Sequence, residues 1–207
     1  MSIYKRVLGK EFYHLHPMLQ HKYELLSSGT FSGSGVMKKI KGGPKWLYPM
    51  FYLGAKWKLL FPESGENIPF TITNTSRCGE NGERQVHWER IFYFKGKRRY
   101  FNALMSFDQS QNVIKDYLGE PPLFYSDLVL KIDEENRSLR IESKGQRLVF
   151  GKREISLPRF LQGLAVINES YSEEKGVFQI TVGVKNPLVG WVFYYEGEFK
   201  QDELDEN

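Results

Sequence analysis

The sequence predicts an α+β protein that is mainly antiparallel β. The expected shape is a strongly curved sheet or barrel-like meander of about nine strands, with N-terminal helices covering one face or mouth. Three observations carry this. Helical spacing of apolar residues is confined to residues 1–61, the runs after Pro62 alternate with period two, and the connections between those runs are short and rich in Gly, Asn and Asp. No helical pattern of roughly 10–15 residues separates the runs, so parallel βαβ units are excluded.

The elements follow in order. Residues 2–26 read as a short helix, a break near His16, and a second helix. Phe12, Leu15, Leu19 and Tyr23 gather on one face, and Pro17 fits only in the first turn of the second helix. Over 30–40, Gly33 and Gly35 interleave with Phe31 and Val36 and mark a strand that lets a backbone or a ligand come close. After the turn Gly42-Gly43-Pro44, residues 45–61 are expected to be helical, with Pro49 in or near the first turn and Pro62 as terminator. Period-two runs then occur at 68–77, 84–95, 99–108, 112–119, 123–133, 137–145, 147–151, 164–173, 177–185 and 190–200. Residues 159–163, behind Pro158, read as one helical turn or a loop. With no linker or internal repeat, 1–207 is expected to be one domain: a helical, basic part over 1–61, antiparallel β over 62–201, and an acidic tail over 202–207.

The 207 residues are 41% hydrophobic and 26% charged, which excludes a disordered or fibrous chain. A lone cysteine, Cys78, excludes a disulfide framework and a cysteine-built metal site. The N-terminus lacks a signal-peptide pattern and no apolar run reaches ~18 residues, so a soluble, cytoplasmic protein is expected. Net charge is +4, but residues 1–61 hold ten Lys/Arg against Glu11 and Glu24, which is +8 and leaves −4 for the rest. Four acids lie in the tail (Asp202, Glu203, Asp205, Glu206). Such asymmetry suits an anionic partner, a membrane surface or nucleic acid, although a plain solvated basic surface is the commoner cause.

Aromatics are in excess, at 15 Phe, 12 Tyr and 4 Trp, and alternation shows where they point. One face of 84–95 holds Val86, Trp88, Arg90, Phe92 and Phe94; the matching faces hold Phe101, Ala103, Met105 and Phe107, then Phe178, Ile180, Val182 and Val184, then Trp191, Phe193, Tyr195, Gly197 and Phe199. An inner face so rich in large aromatics forms either a solid core or the wall of an apolar cavity. Arg90 in that face cannot neutralise, so it needs a carboxylate such as Glu169, an anionic ligand, or solvent at a sheet edge. The expected ligand site is Arg90, Trp88, Phe92, Phe101, Met105, Glu169, Phe178 and Tyr195.

Other chemistry is not spelled out. His14 and His21 are separated by Pro17, and no His/carboxylate spacing resembles a metal site, so neither a metal nor a cofactor is expected. Gly33-Ser34-Gly35 lacks the rest of a phosphate loop, no Gly-x-Ser-x-Gly elbow occurs, and Cys78 lies in a turn-like stretch without a histidine partner. Lys95, Lys97, Arg98 and Arg99 beside Phe92, Phe94, Tyr100 and Phe101 form a basic hairpin tip, but these aromatics alternate onto the apolar face, which disfavours nucleic acid. The 45–61 segment combines Trp46, Tyr48, Phe51 and Trp57 with Lys56 and Lys58. It reads as a membrane contact, a lid, or a core plug.

Leu15-His16-Pro17-Met18-Leu19-Gln20, Gly33-x-Gly35-x-Met37, Trp88-x-Arg90-x-Phe92, Leu157-Pro158, Asn186-Pro187-Leu188-Val189-Gly190 and Tyr195-x-Gly197 together resemble the uncharacterised bacterial family catalogued as domain of unknown function 4166. The resemblance covers almost the whole chain. It implies a stand-alone bacterial domain, and it carries over no activity and no catalytic residue. The sequence therefore points first to a non-enzymatic binding domain for an apolar or amphipathic ligand, peripheral to an anionic membrane. An enzyme using Arg90 and a carboxylate, and an interaction protein with a solid core, stand as alternatives. The oligomeric state is not encoded legibly.

Overall fold

The computed structural model describes residues 1–151 and 153–203; Lys152 and 204–207, and with them Asp205 and Glu206 of the expected tail, lie outside the described residues. The strands are β1 (Thr30–Lys41), β2 (Gly65–Cys78), β3 (Arg84–Phe94), β4 (Lys97–Tyr100), β5 (Ala103–Asp108), β6 (Val113–Leu118), β7 (Phe124–Asp133), β8 (Ser138–Phe150), β9 (Arg153–Ser156), β10 (Leu164–Ser172), β11 (Val177–Asn186) and β12 (Gly190–Gln201). Every pairing is antiparallel. The order β10-β11-β12-β1-β2-β3-β5-β6-β7-β8 closes on itself where β8 pairs β10, giving a barrel of ten strands, with β4 and β9 appended to β3 and β8. Closure removes the sheet edges that an open meander would expose.

Several boundaries differ from the alternation pattern for physical reasons. The run 99–108 is split at Phe101–Asn102, where the Phe101 amide still bonds Arg90 but the Asn102 amide turns away to Lys58. The runs 137–145 and 147–151 belong to one strand. Gly145, at φ 52°, is an extra residue facing the Ser126/Asp127 register shift, so the turn chemistry there marks a bulge and not a hairpin. β9 was not expected.

Two helices, α1 (Ile3–Leu8) and α2 (Pro17–Leu25), flank a 3-10 segment, Gly9–His14. The Ser2 hydroxyl accepts the Lys5 amide to start α1, Gly9 at φ 57° ends it, and Pro17 opens α2 as expected. Tyr4, Phe12, Leu15, Leu19 and Tyr23 are fully buried, and the helices plug the barrel end where His16 meets Arg137 and Ser27 meets Arg84. The 45–61 segment is shorter as a helix than expected: a 3-10 turn (Lys45–Leu47) leads into α3 (Tyr48–Lys56), and the helix stops there. The reason is local. Lys58 adopts φ 52°, and the Trp57 and Lys58 carbonyls accept amides of Glu120 and Asn102 in place of helical partners. α3 lies in the β1–β2 connection, at the barrel end opposite the plug.

The inner face is largely as alternation gives it, with one correction. Trp191 is exposed, because a bulge between Val184 and Lys185 on the β11–β12 pairing turns Val192 and Phe193 inward together and leaves Trp191 beside Lys185. The glycines of β1 admit a backbone and not a ligand. A Cβ on Gly35 would stand 2.1 Å from the Glu198 carbonyl oxygen and 2.5 Å from the Phe199 Cα. Gly35→Ala is therefore expected to cost about 1–3 kcal/mol through overpacking, read from urea unfolding midpoints; a cost under a few tenths would show that β1 and β12 can part there.

Candidate functional site

Five connections converge on the mouth opposite the plug: β1–β2 with α3, β3–β5, β6–β7, β8–β10 and β11–β12. Between them lies a pocket of about 320 Å³. Phe101, Leu118 and Phe124 line it from the barrel ends; Phe51, Leu59 and Leu60 come from the α3 segment, and Ala165, Val184 and Val192 from the wall. Trp46, Met50, Phe160, Leu161 and Val189 stand around its opening. The polar side chains in this lining are Gln146 and Asn186, and both are held by backbone. Gln146 exchanges two hydrogen bonds with Gly163. Asn186 donates to the Phe160 and Gln162 carbonyls and accepts the Leu188 and Val189 amides.

Between pocket and plug the barrel holds a layer of buried charge. Arg90 donates to the Tyr195 hydroxyl at 3.2 Å and lays its guanidinium on Phe101, 4.2 Å from the ring centre. Asp116 faces inward on β6, in register with Met105 and Ser126. Burial pushes its carboxyl up to about 7, with Arg90 pulling the other way. Among the described residues, Arg90 Nε, Asp116 Oδ1, Ser126 Oγ and both amide atoms of Asn74 are buried without a hydrogen-bond partner. Nearer the plug, Lys22 and Glu169 form an ion pair with both side chains fully buried, and the Tyr23 hydroxyl donates to the second Glu169 oxygen at 3.0 Å. Burial lowers the Lys22 pKa against the opposing pull of Glu169. The Tyr4 hydroxyl accepts from Trp88 Nε1 and donates to the Met105 sulfur, linking the plug to this layer.

The structure separates residues that the sequence grouped. Arg90, Trp88, Phe92, Phe101, Met105, Glu169, Phe178 and Tyr195 are all buried inside the barrel, yet of these eight only Phe101 lines the mouth pocket. Phe92 packs on Phe61, Phe70 and Tyr195, and Phe178 packs on Phe31, Tyr171 and Phe199. Glu169, one of the partners the sequence offers Arg90, is engaged elsewhere: its two oxygens are taken by Lys22 and Tyr23, on the plug side. An enzyme site using Arg90 would therefore need a carboxylate other than Glu169. Sequence reasoning missed Lys22 and Asp116, although the signal was there. Lys22 sits between Leu19 and Tyr23 on the buried helix face, and Asp116 alternates with Ile114 and Leu118.

In the 45–61 segment, Trp46 and Phe51 line the pocket, Tyr48 and Trp57 are half-buried, and Lys56 is exposed. Lys58 pairs with Glu120. Burial would raise the Glu120 carboxyl, but hydrogen bonds from Lys58, Asn102 and His87 hold it down at about 2. This cluster pins the end of the α3 segment. The +8 of residues 1–61 does not form one face: Lys22 is buried, Lys5 pairs with Glu24 at the plug, and Lys38 pairs with Glu198 on the wall. No described helix is long and apolar enough to cross a membrane, and no group of three or more His, Cys, Asp or Glu among the described residues could hold a metal ion.

A family model described as "Domain of unknown function (DUF4166)" matches residues 15–199. The chain is also similar to a protein of Bacillus subtilis (strain 168) named "Uncharacterized protein YndH", with 38% identity over 205 residues, 99% of this chain and 98% of that protein. The matched stretch contains the pocket lining, Arg90, Asp116 and the Lys22–Glu169 pair.

Proposed function

We propose that this chain, which belongs to the DUF4166 family, is a binding barrel for the apolar part of an amphipathic, lipid-like molecule entering through the mouth opposite the plug. One observation carries the reading: the pocket is apolar, and its two polar side chains are already engaged by backbone. Such a lining rewards burial of apolar surface and offers no directed contact to a polar metabolite. About 320 Å³ lies at the low end of ligand-sized pockets, roughly 300–1,000 Å³, which suits one short chain with its headgroup outside. In this reading the protein works in the cytoplasm, at the periphery of the membrane that supplies such chains.

Titration with dansyl-undecanoic acid tests this, alongside native mass spectrometry and lipid extraction of the purified protein. Ala165→Trp, which fills the pocket from β10, is expected to weaken probe binding at least about tenfold, 1.4 kcal/mol. Equal affinity in that variant, or no saturable binding by the parent chain, removes the reading.

A further inference from the structure

We infer that the mouth end of the barrel is a membrane-docking face that seats pocket-down on an anionic bilayer. The inference rests on the binding reading above and names the surface from which the pocket is filled.

The exposed large apolar side chains concentrate there. Trp46, Met50 and Leu53 on the α3 segment, Phe160 and Leu161 after Pro158, and Leu188 with Trp191 at the β11–β12 connection are 49% to 76% exposed. The three segments form one collar. Each supplies pocket lining, the Asn186 amide ties the β11–β12 connection to Phe160 and Gln162, and Gly43 lies so close to Val192 that a Cβ would stand 2.4 Å from its carbonyl oxygen. An apolar collar around the opening of an apolar pocket exceeds the scatter of single exposed hydrophobes that a soluble surface carries.

Charge identifies the occupant. Residues 44–61, 157–163 and 185–192 contain no Asp or Glu, while Lys45, Lys56, Arg159 and Lys185 lie among the apolar residues. Among the described residues these four make no ion pair. The β3–β4 tip at the same end adds exposed Lys95 and Arg98. The strand connections at the plug end carry instead Asp133, Glu134, Glu135, Glu173 and Glu174. The connections at the mouth are thus more basic than those at the plug, where these acids outnumber Arg77, Arg84, Arg137 and Lys175, and the basic, aromatic-rimmed end suits anionic headgroups.

Vesicle co-sedimentation tests this, comparing phosphatidylcholine vesicles with vesicles containing roughly one-third phosphatidylglycerol. The parent chain should bind the anionic vesicles, and binding should fall with added salt. Leu53→Ser/Leu188→Ser/Trp191→Ser leaves the pocket lining untouched. It should lose at least about tenfold in vesicle binding while still binding dansyl-undecanoic acid like the parent chain. Lys45→Glu/Lys56→Glu/Lys185→Glu should lose as much on anionic vesicles, and it carries the test if the serine variant does not fold. Ala165→Trp should keep vesicle binding, so failure of the pocket leaves the docking result readable. No binding of the parent chain to anionic vesicles, or unchanged binding in both triple variants, overturns the inference. A parent dimer that does not bind vesicles and that the serine variant converts to monomer assigns the collar to a second copy, and also overturns it.

Discussion

Glu169→Ala is expected to lower stability by about 3–5 kcal/mol, a large fraction of what holds a domain of this size together. Glu169 and Lys22 are sealed from solvent, and among the described residues the carboxylate is the one acceptor of the ammonium. The remaining neighbours are rings: Tyr23, Phe31, Trp88, Phe178 and Phe199 lie 5.0 to 5.7 Å from Nζ. Their quadrupoles attract a cation, but by roughly 1–2 kcal/mol each at best, well short of its hydration. Without Glu169 the lysine must stay charged in an apolar site or fold in its neutral form. A neutral lysine holds fewer protons than the unfolded chain, so the loss should shrink as pH rises toward the ordinary lysine range. Lys22→Met/Glu169→Gln removes both charges and keeps a Tyr23 partner, and it should recover most of the loss. Urea unfolding of the three chains between pH 6 and 9 decides the matter. A double variant no more stable than Glu169→Ala would mean that the helix packing, and not the uncompensated charge, carries the cost.

That ion pair also shows what alternation reveals and what it hides. Trp88, Arg90 and Phe92 were placed inward by period two alone, and the barrel keeps them there because each wall strand buries one face. Which carboxylate Arg90 meets was not legible, because strand patterns fix a face and leave the neighbours across a closed barrel open. Closure brings β8 to β10, and the plug brings Lys22 from α2 against Glu169 on β10, 147 positions along the chain. The aromatic excess was legible in amount and misleading in use. About half of it is buried in the barrel, while the pocket joins strand-end residues such as Ala165, Val184 and Val192 to residues of the connections, which have no period-two pattern to read. The segment 45–61 was conspicuous through composition, but its partners in the collar, Phe160-Leu161 and Leu188, stand out only once the connections of one barrel end are seen together. Bulges account for two further differences: at Gly145 an apparent turn is an extra residue in one strand, and at Val184/Lys185 a bulge reverses the side on which Trp191 lies.

Asp116→Asn is expected to stabilise the protein progressively as pH rises, by up to about 4 kcal/mol above pH 7. In the unfolded chain this carboxyl titrates near its ordinary value of 3.8, whereas burial raises it to about 7 in the barrel, with the Arg90 charge holding it from going higher. Between those values the unfolded state gives up a proton that the folded state keeps. The unfolded state then binds fewer protons, and stability falls with increasing pH by about 1.36 kcal/mol per unit. Below pH 3.8 both states hold the proton and the contribution vanishes; above 7 both have lost it and the cost is complete. Asparagine has no proton to lose, so the difference between variant and parent should open near pH 4 and level off just above 7. Arg90→Met removes the attraction that favours the carboxylate, and the same fall in stability should extend to higher pH. A pH-independent difference between Asp116→Asn and the parent would show that Arg90 keeps the carboxylate ionised throughout. The distinction bears on the pocket because Arg90 lies directly on Phe101, part of the pocket lining. With Asp116 protonated, the layer beneath the pocket holds an uncompensated guanidinium; with Asp116 ionised it is neutral. A chain that binds in the pocket therefore lies over a layer whose charge changes within about one unit of neutral pH.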